Sequence, residues 1–259
     1  MDEWLVSMDC MEADAFIDDI PREFNWDKKF KVDRRSMDKE NKGTFGKPIG
    51  SSSFAIYTDG SKDGNRAGCG IAPFKVERKL NFDWQYSFLE TKEVHMGTHE
   101  NFERAFLGDI AVFLAECFGL NLIADYLIYH DTDFRFRNKA VAIYTDNQAV
   151  IHSLAAGEVT SQTVKETIAQ LNEAAELTGA QITVRWVKGH QKNGVCPGND
   201  MADLRAKESL EKGELVVNPP QKTFREIKNL IKRKMMDHWN YRWKNLCPPK
   251  AQCRQTKAW

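Results

Sequence analysis

The pentapeptide Ala55-Ile56-Tyr57-Thr58-Asp59 recurs as Ala142-Ile143-Tyr144-Thr145-Asp146. Both copies read as short β-strands of β-branched and aromatic residues, the first closed by Gly60-Ser61 and the second by Asn147-Gln148. Side chains alternate along a strand, so identical phase gives the two aspartates the same orientation at corresponding ends. Those ends are where ligand sites of open α/β sheets lie. If the copies are parallel neighbours, about 4.8 Å apart, their carboxylates meet at a spacing comparable with the roughly 3.5–4 Å between the ions of a two-metal site. Taken singly, Asp59 also reads as a turn residue and Asp146 as a helix N-cap. The repetition favours a functional pair.

Outward from the first copy, Gly68–Phe74 and Phe82–Glu90 read as two further strands, the latter alternating Phe82, Trp84, Tyr86 and Phe88. From about Phe106 to Tyr129 the apolar residues shift to helical spacing. Ala140–Asp146 is then a strand, Asn147–Ala156 and Ser161–Thr178 are helices, Ile182–Val187 is a strand and Asn199–Lys212 is a helix. The order predicts an α/β fold: a mixed five-stranded sheet, a three-strand antiparallel meander followed by parallel strands, flanked by helices.

Two further features carry chemistry. Glu116 interrupts an apolar stripe containing Val112, Phe113, Gly119, Leu120 and Ile123. A carboxylate there needs a cation, a hydrogen-bond donor or a solvent-exposed rim, because burying it unpaired is costly. A divalent ion and a Lys or Arg partner both meet that need. The second feature is Trp186-Val187-Lys188-Gly189-His190, followed by Pro197-Gly198-Asn199-Asp200-Met201-Ala202-Asp203. A strand ends in a Gly-His turn, a Gly- and Pro-containing loop follows, and Asn199 is placed to cap a helix that carries Asp203 in its first turns. His190 then sits over the end of the sheet, where an imidazole can exchange protons near neutral pH.

The chain has 259 residues, 42% hydrophobic and 29% charged, which excludes wholesale disorder and collagenous or low-complexity architecture. The longest apolar runs are broken by Asp109, Glu116, Asn121 and Asp125, so no membrane span or membrane partner is expected. Seven acidic and no basic residues through Ile20 are the opposite of a signal peptide. Six irregularly spaced cysteines fit a reducing, intracellular compartment, nuclear or cytoplasmic, without disulfides. The zero net charge hides a polarity: −3 over residues 1–50, −5 over 51–212 and +8 over 213–259. Three segments are expected: 1–50, an acidic N-terminal extension with a linker; 51–212, the α/β domain; and 213–259, a basic C-terminal tail beginning with one amphipathic helix.

Over about residues 53–212 the sequence resembles the type 1 ribonuclease H family, in the form carried by retrotransposon and reverse-transcriptase polyproteins of the non-LTR kind. The resemblance rests on Tyr57-Thr58-Asp59-Gly60-Ser61, Phe113-Leu114-Ala115-Glu116, Tyr144-Thr145-Asp146-Asn147-Gln148-Ala149, Trp186-Val187-Lys188-Gly189-His190 and Gly198-Asn199-Asp200-Met201-Ala202-Asp203, in family order. It implies a ribonuclease H-like fold. It also implies an endoribonuclease that hydrolyses the RNA strand of RNA/DNA hybrids, leaving 5′-phosphomonoesters.

Asp59, Glu116, Asp146 and Asp203 would be its metal-binding acidic tetrad, holding two Mg2+ ions with Mn2+ able to substitute, and His190 the mobile catalytic histidine. Substrate contacts are implied for Gly60, Ser61, Asn147, Gln148 and Asn199, with Gln148 in the minor groove, where 2′-hydroxyls mark the RNA strand. Reverse transcriptase and other retroelement proteins are the implied protein partners. The segment from Trp239-Asn240-Tyr241-Arg242-Trp243 to Cys253-Arg254-Gln255-Thr256-Lys257 is similar to the end of insect-type retroelement polyproteins. The chain is expected to be a free-standing domain, either a captured retroelement gene or a fragment of a longer polyprotein.

Two departures from the family bear on substrate handling. Apolar Val112 and Phe113 stand where bacterial relatives carry asparagines, and no basic protrusion follows Thr178, which leaves the basic tail to supply hybrid affinity. The alternative reading is a catalytically idle domain serving as a scaffold or nucleic-acid-binding module. Its mark would be a lost carboxylate, and none is lost.

Overall fold

The computed structural model describes residues 27–37, 53–64, 66–78, 84–89, 92–98, 109–159, 161–189, 196–212, 214–215 and 224–246. Its strands are β1 (Lys31–Asp33), β2 (Phe54–Asp63), β3 (Arg66–Arg78), β4 (Trp84–Phe88), β5 (Lys92–Thr98), β6 (Ala140–Thr145), β7 (Gln181–Trp186) and β8 (Glu214–Leu215). The helices are α1 (Asp109–Tyr129), α2 (Gln148–Ala155), α3 (Gln162–Thr178), α4 (Pro197–Lys212) and α5 (Phe224–Leu246). The sheet runs β1-β7-β6-β2-β3-β5-β8, with β4 also paired to β3. β2, β3, β4 and β5 pair antiparallel, whereas β2, β6, β7 and β1 form a parallel half.

The expected mixed α/β architecture is therefore present, with eight strands among the described residues instead of five. The third meander strand, expected over Phe82–Glu90, is two short strands sharing the long edge of β3. β4 pairs Phe74–Arg78, and β5 pairs Arg66–Ile71 across a register shift. A strand of 13 residues offers more edge than one five-residue partner can cover. The alternation of aromatics marked only β4, because Lys92–Thr98 has no comparable apolar period. β1 and β8 are too short to leave a periodic signal.

Residues 27–37, within the segment expected to be extension and linker, extend the parallel edge. β1 runs parallel to β7, Lys31 opposite Thr183 and Asp33 opposite Arg185. The Arg185 guanidinium donates to Asp33 Oδ2 through Nε and Nη2, each at 2.9 Å, and the Trp186 amide donates to Ser36 Oγ at 2.9 Å. Phe30 enters the core beside these contacts.

Alternation along β2 and β6 sorts their residues onto two covered faces. Ile56 and Ile143 pack with Ile71 and with Leu120, Ile123, Leu127, Ile151 and Ile168 from α1, α2 and α3. Ala55, Tyr57, Ala142 and Tyr144 face Ala202 of α4. Here small residues set the spacing: a Cβ on Gly70 would lie 2.4 Å from the Ala206 amide nitrogen, so glycine lets α4 lie against β3. Within α1, Val112–Tyr129 is long and apolar enough by length and composition to cross a membrane, which the sequence reading did not allow for. Two thirds of it is buried against the sheet, as in the core helix of a folded domain.

The chain divides into two compact units, the second beginning at Gln221 and containing α5. If Phe30 anchors β1, Phe30→Ala is expected to cost about 3–5 kcal/mol in urea denaturation of the whole chain. A loss within experimental error would mean that residues 27–37 do not support the sheet.

Candidate active site

The parallel pairing of β2 with β6 places Tyr57 opposite Tyr144 and Thr58 opposite Thr145, so Asp59 and Asp146 follow in register at the carboxyl ends of adjacent strands. The tyrosine rings stack at 4.8 Å, and this contact fixes the register beneath the site. On the opposite face α1 delivers Glu116, which is 1% exposed. One carboxylate oxygen from each of Asp59, Glu116 and Asp146 lies within 4.8 Å of the others.

Local structure orients each acid. The Gly60 amide donates to Asp59 Oδ1 at 2.8 Å, and the Thr145 hydroxyl donates to Glu116 Oε2 at 3.0 Å. Trp186 Nε1 donates to the Asp146 carbonyl at 2.8 Å, tying the end of β6 to β7. A Cβ on Gly189 would lie 1.9 Å from Asp146 Oδ2, so only glycine permits this approach of the chain after β7. Asn147, not Asp146, caps α2, accepting from the amides of Ala149 and Val150 at 3.0 and 3.2 Å. That removes the capping alternative for Asp146.

The acids open into a cleft of about 780 Å3, also lined by Gly60, Ser61, Asn147, Gln148 and Asp203. Asp203, on α4, lies outside the tight group of three, and Lys207 one turn further on holds its carboxylate at 2.6 Å. Asn199 does not line the cleft and does not cap α4, which begins at Pro197. It is 4% exposed, its Oδ1 has no partner, and the Asp200 amide instead donates to the Cys196 carbonyl at 3.0 Å. Proline at the first helical position explains the earlier start, since its missing N–H costs nothing there. His190 lies outside the described residues.

Three lysines line the cleft without having been singled out from sequence: Lys62, Lys188 and Lys207. Only Lys207 left a usable signal, its i,i+4 spacing from Asp203. The orienting contacts of Thr145 and Gly189 depend on neighbours distant in sequence.

The electrostatics of the three acids are mutually unfavourable. Burial, then the Asp146 and Asp203 carboxylates, push the Asp59 carboxyl up to about 8, against the opposing Gly60 amide bond. Burial, then Asp59 and Asp146, hold Glu116 well above the usual carboxylate range, although the Thr145 hydroxyl favours its ionised form. An all-oxygen, all-anionic donor set of this kind fits a hard divalent cation, which would relieve both repulsion and desolvation.

Carboxyls raised in the folded state bind more protons there than in the unfolded chain. Their stabilising effect is complete below about pH 4 and is lost as pH rises toward about 8. In EDTA the chain is therefore expected to lose thermal stability across that window, and magnesium to restore it at the alkaline end. Asp59→Asn should flatten the decline, adding on the order of 2 kcal/mol at pH 8 in EDTA. A pH-independent melting curve in EDTA would show that the three acids do not repel one another in the fold.

Residues 127–211 match the RNase H family model. Among solved structures, the chain is similar to the N-terminal RNase H domain of rv2228c from Mycobacterium tuberculosis, solved as a fusion with maltose-binding protein. The two are 17% identical with a TM-score of 0.42 over 62% of this chain and 95% of that one. RNase H1 from the halophilic archaeon Halobacterium salinarum is 18% identical with a TM-score of 0.41, over 61% of this chain and 97% of that one. No curated protein matches the chain. The segment that matches the RNase H family model carries Asp146, Gln148, Trp186, Gly189 and Asp203 of the cleft.

Proposed function

We propose that the chain is an endoribonuclease that hydrolyses the RNA strand of RNA/DNA hybrids. The observation that carries this reading is the convergence of the Asp59, Glu116 and Asp146 carboxylates in an open cleft of an RNase H-family domain. With Asp203 on the same cleft wall, they would hold divalent magnesium, two ions in the expected arrangement, with manganese able to substitute. When bound, such ions neutralise charge developing on phosphate oxygens and make water a stronger nucleophile.

The chain's own residues define the rest. Asp59 and Asp146 are fixed by paired strands, so their separation is set by the sheet and not by flexible side chains. Water oxygen bonds to phosphorus as the bond from phosphorus to the 3′-oxygen breaks, and the water proton ends on the departing 3′-oxygen. A 5′-phosphate and a 3′-hydroxyl result. His190, on the segment after Gly189, is assigned proton transfer or product release. Ser61, Asn147, Gln148 and the Gly60 backbone line the cleft where the hybrid's sugar edges would lie, and 2′-hydroxyls there distinguish RNA from DNA. Asn199 is buried on α4 beside Gly198, whose missing Cβ lets the helix approach the Tyr57 ring.

The same motifs support a retroelement-type enzyme, with reverse transcriptase or another retroelement protein as its partner. The reading is tested with labelled RNA/DNA hybrid, duplex RNA and duplex DNA in magnesium, manganese and EDTA. Metal-dependent cutting of only the hybrid's RNA strand is expected, reduced at least about 1,000-fold in Asp146→Asn. Hybrid binding without cutting in either metal would reject the enzyme and leave a nucleic-acid-binding scaffold.

A further inference from the structure

Phosphate neutralisation supplies much of the affinity of nucleic-acid-binding proteins, and the catalytic domain is poorly equipped for it. Residues 51–212 carry a net charge of −5. Of the three lysines lining the cleft, Lys207 is already paired with Asp203. The chain's positive charge lies elsewhere, in α5, where seven Lys and Arg residues face two acidic ones. At about 1.5 Å per residue its 23 residues span roughly 35 Å, the axial length of about ten base pairs of duplex.

The exposed side chains of α5 narrow what it binds. Met235, Met236, Trp239 and Tyr241 are each more than half exposed. Lys232, Met235, Trp239, Arg242 and Trp243 fall at successive steps of three, four, three and one, within one stripe of the helix. The Trp239 and Trp243 rings lie parallel, 11° between planes and 6.2 Å between centroids. A π-platform is thus set between cations on the same stripe. A helix lying in a membrane surface needs apolar and charged faces kept apart, whereas exposed Tyr241 falls on the side of α5 opposite this stripe and cations are interspersed with the aromatics. A coiled-coil seam through Ile231 and Met235 is broken by His238 and Arg242.

We infer that α5 is a second nucleic-acid-binding element whose occupant is single-stranded nucleic acid next to the hybrid: phosphates bound by Lys232, Lys234 and Arg242, an unpaired base stacked on Trp239. Sequence-tolerant binding of this kind combines a cationic track with an aromatic face and falls steeply with salt. The inference rests on the hybrid-cleaving reading for the neighbouring duplex, and its test reads binding and not cleavage.

The full chain in EDTA is titrated by fluorescence anisotropy against a blunt RNA/DNA hybrid, the same hybrid with a single-stranded extension, and the extension alone, over a salt series. The extension is expected to tighten binding about tenfold. Trp239→Ala should abolish that gain and Trp239→Phe retain it, with helix content checked by circular dichroism. Replacing Lys232, Lys234 and Arg242 with Gln should lower the salt slope for the extended hybrid by about 2. An extension that adds nothing, an unchanged slope, or preferential binding to anionic phospholipid vesicles over the extension would overturn the proposal. Loss of cleavage in magnesium with the extension effect intact would reject only the enzymatic reading.

Discussion

Everything in the α/β domain is arranged around a repulsion. Three carboxylates reach within 4.8 Å of one another at the carboxyl ends of two adjacent strands and beneath a buried helix, where water is least able to screen them. The fold offsets part of that cost with neutral donors, the Gly60 amide to Asp59 and the Thr145 hydroxyl to Glu116. Neither carries charge, so the acids stay raised in pKa, and the site keeps its unspent affinity for a hard cation. The rigid surroundings follow from this. Tyr57 stacked on Tyr144 and Trp186 bonded to the Asp146 backbone keep the strands from splaying to relieve the strain.

The parts of this arrangement legible in the sequence are those encoded locally. A repeated pentapeptide reports strand phase directly, and parallel pairing turned equal phase into neighbouring aspartates. Glu116 stood out because one charge within an apolar helical stripe has few inexpensive explanations. What was illegible depends on partners far along the chain. Three residues of β1 carry no period, and their attachment to β7 rests on Arg185, Ser36 and Phe30 meeting across roughly 150 residues. Asn199 had the composition of a cap, but the preceding Pro197 can occupy a first helical turn at no cost, and the helix started there. Gly189 could be read only as a turn residue until the Asp146 carboxylate was found pressed against it.

The division of charge along the chain follows from the same repulsion. A cleft that concentrates negative charge able to hold cations would also repel the phosphates of the proposed substrate. Two remedies act over different distances. A bound cation works at contact, and it neutralises the acids and the phosphate together. Lysines placed deep in the cleft would compete with that cation for the same carboxylates, as Lys207 already engages Asp203.

Positive charge that attracts the polyanion without entering that competition has to sit beyond contact range of the acids. Its long-range pull is then limited by screening, since the Debye length is about 8 Å at physiological ionic strength. A cationic helix in a unit of its own would meet the second requirement by gripping nucleic acid directly instead of acting through the field. Direct grip needs more than charge, because purely electrostatic contacts are lost as salt rises. Exposed tryptophan among the cations supplies that remainder: stacking on a base depends on contact area and not on ionic strength. On the proposed function, the acidic cleft and the basic aromatic helix are two consequences of one constraint: the chain separates along its sequence the two kinds of charge that would have to meet on one phosphate backbone.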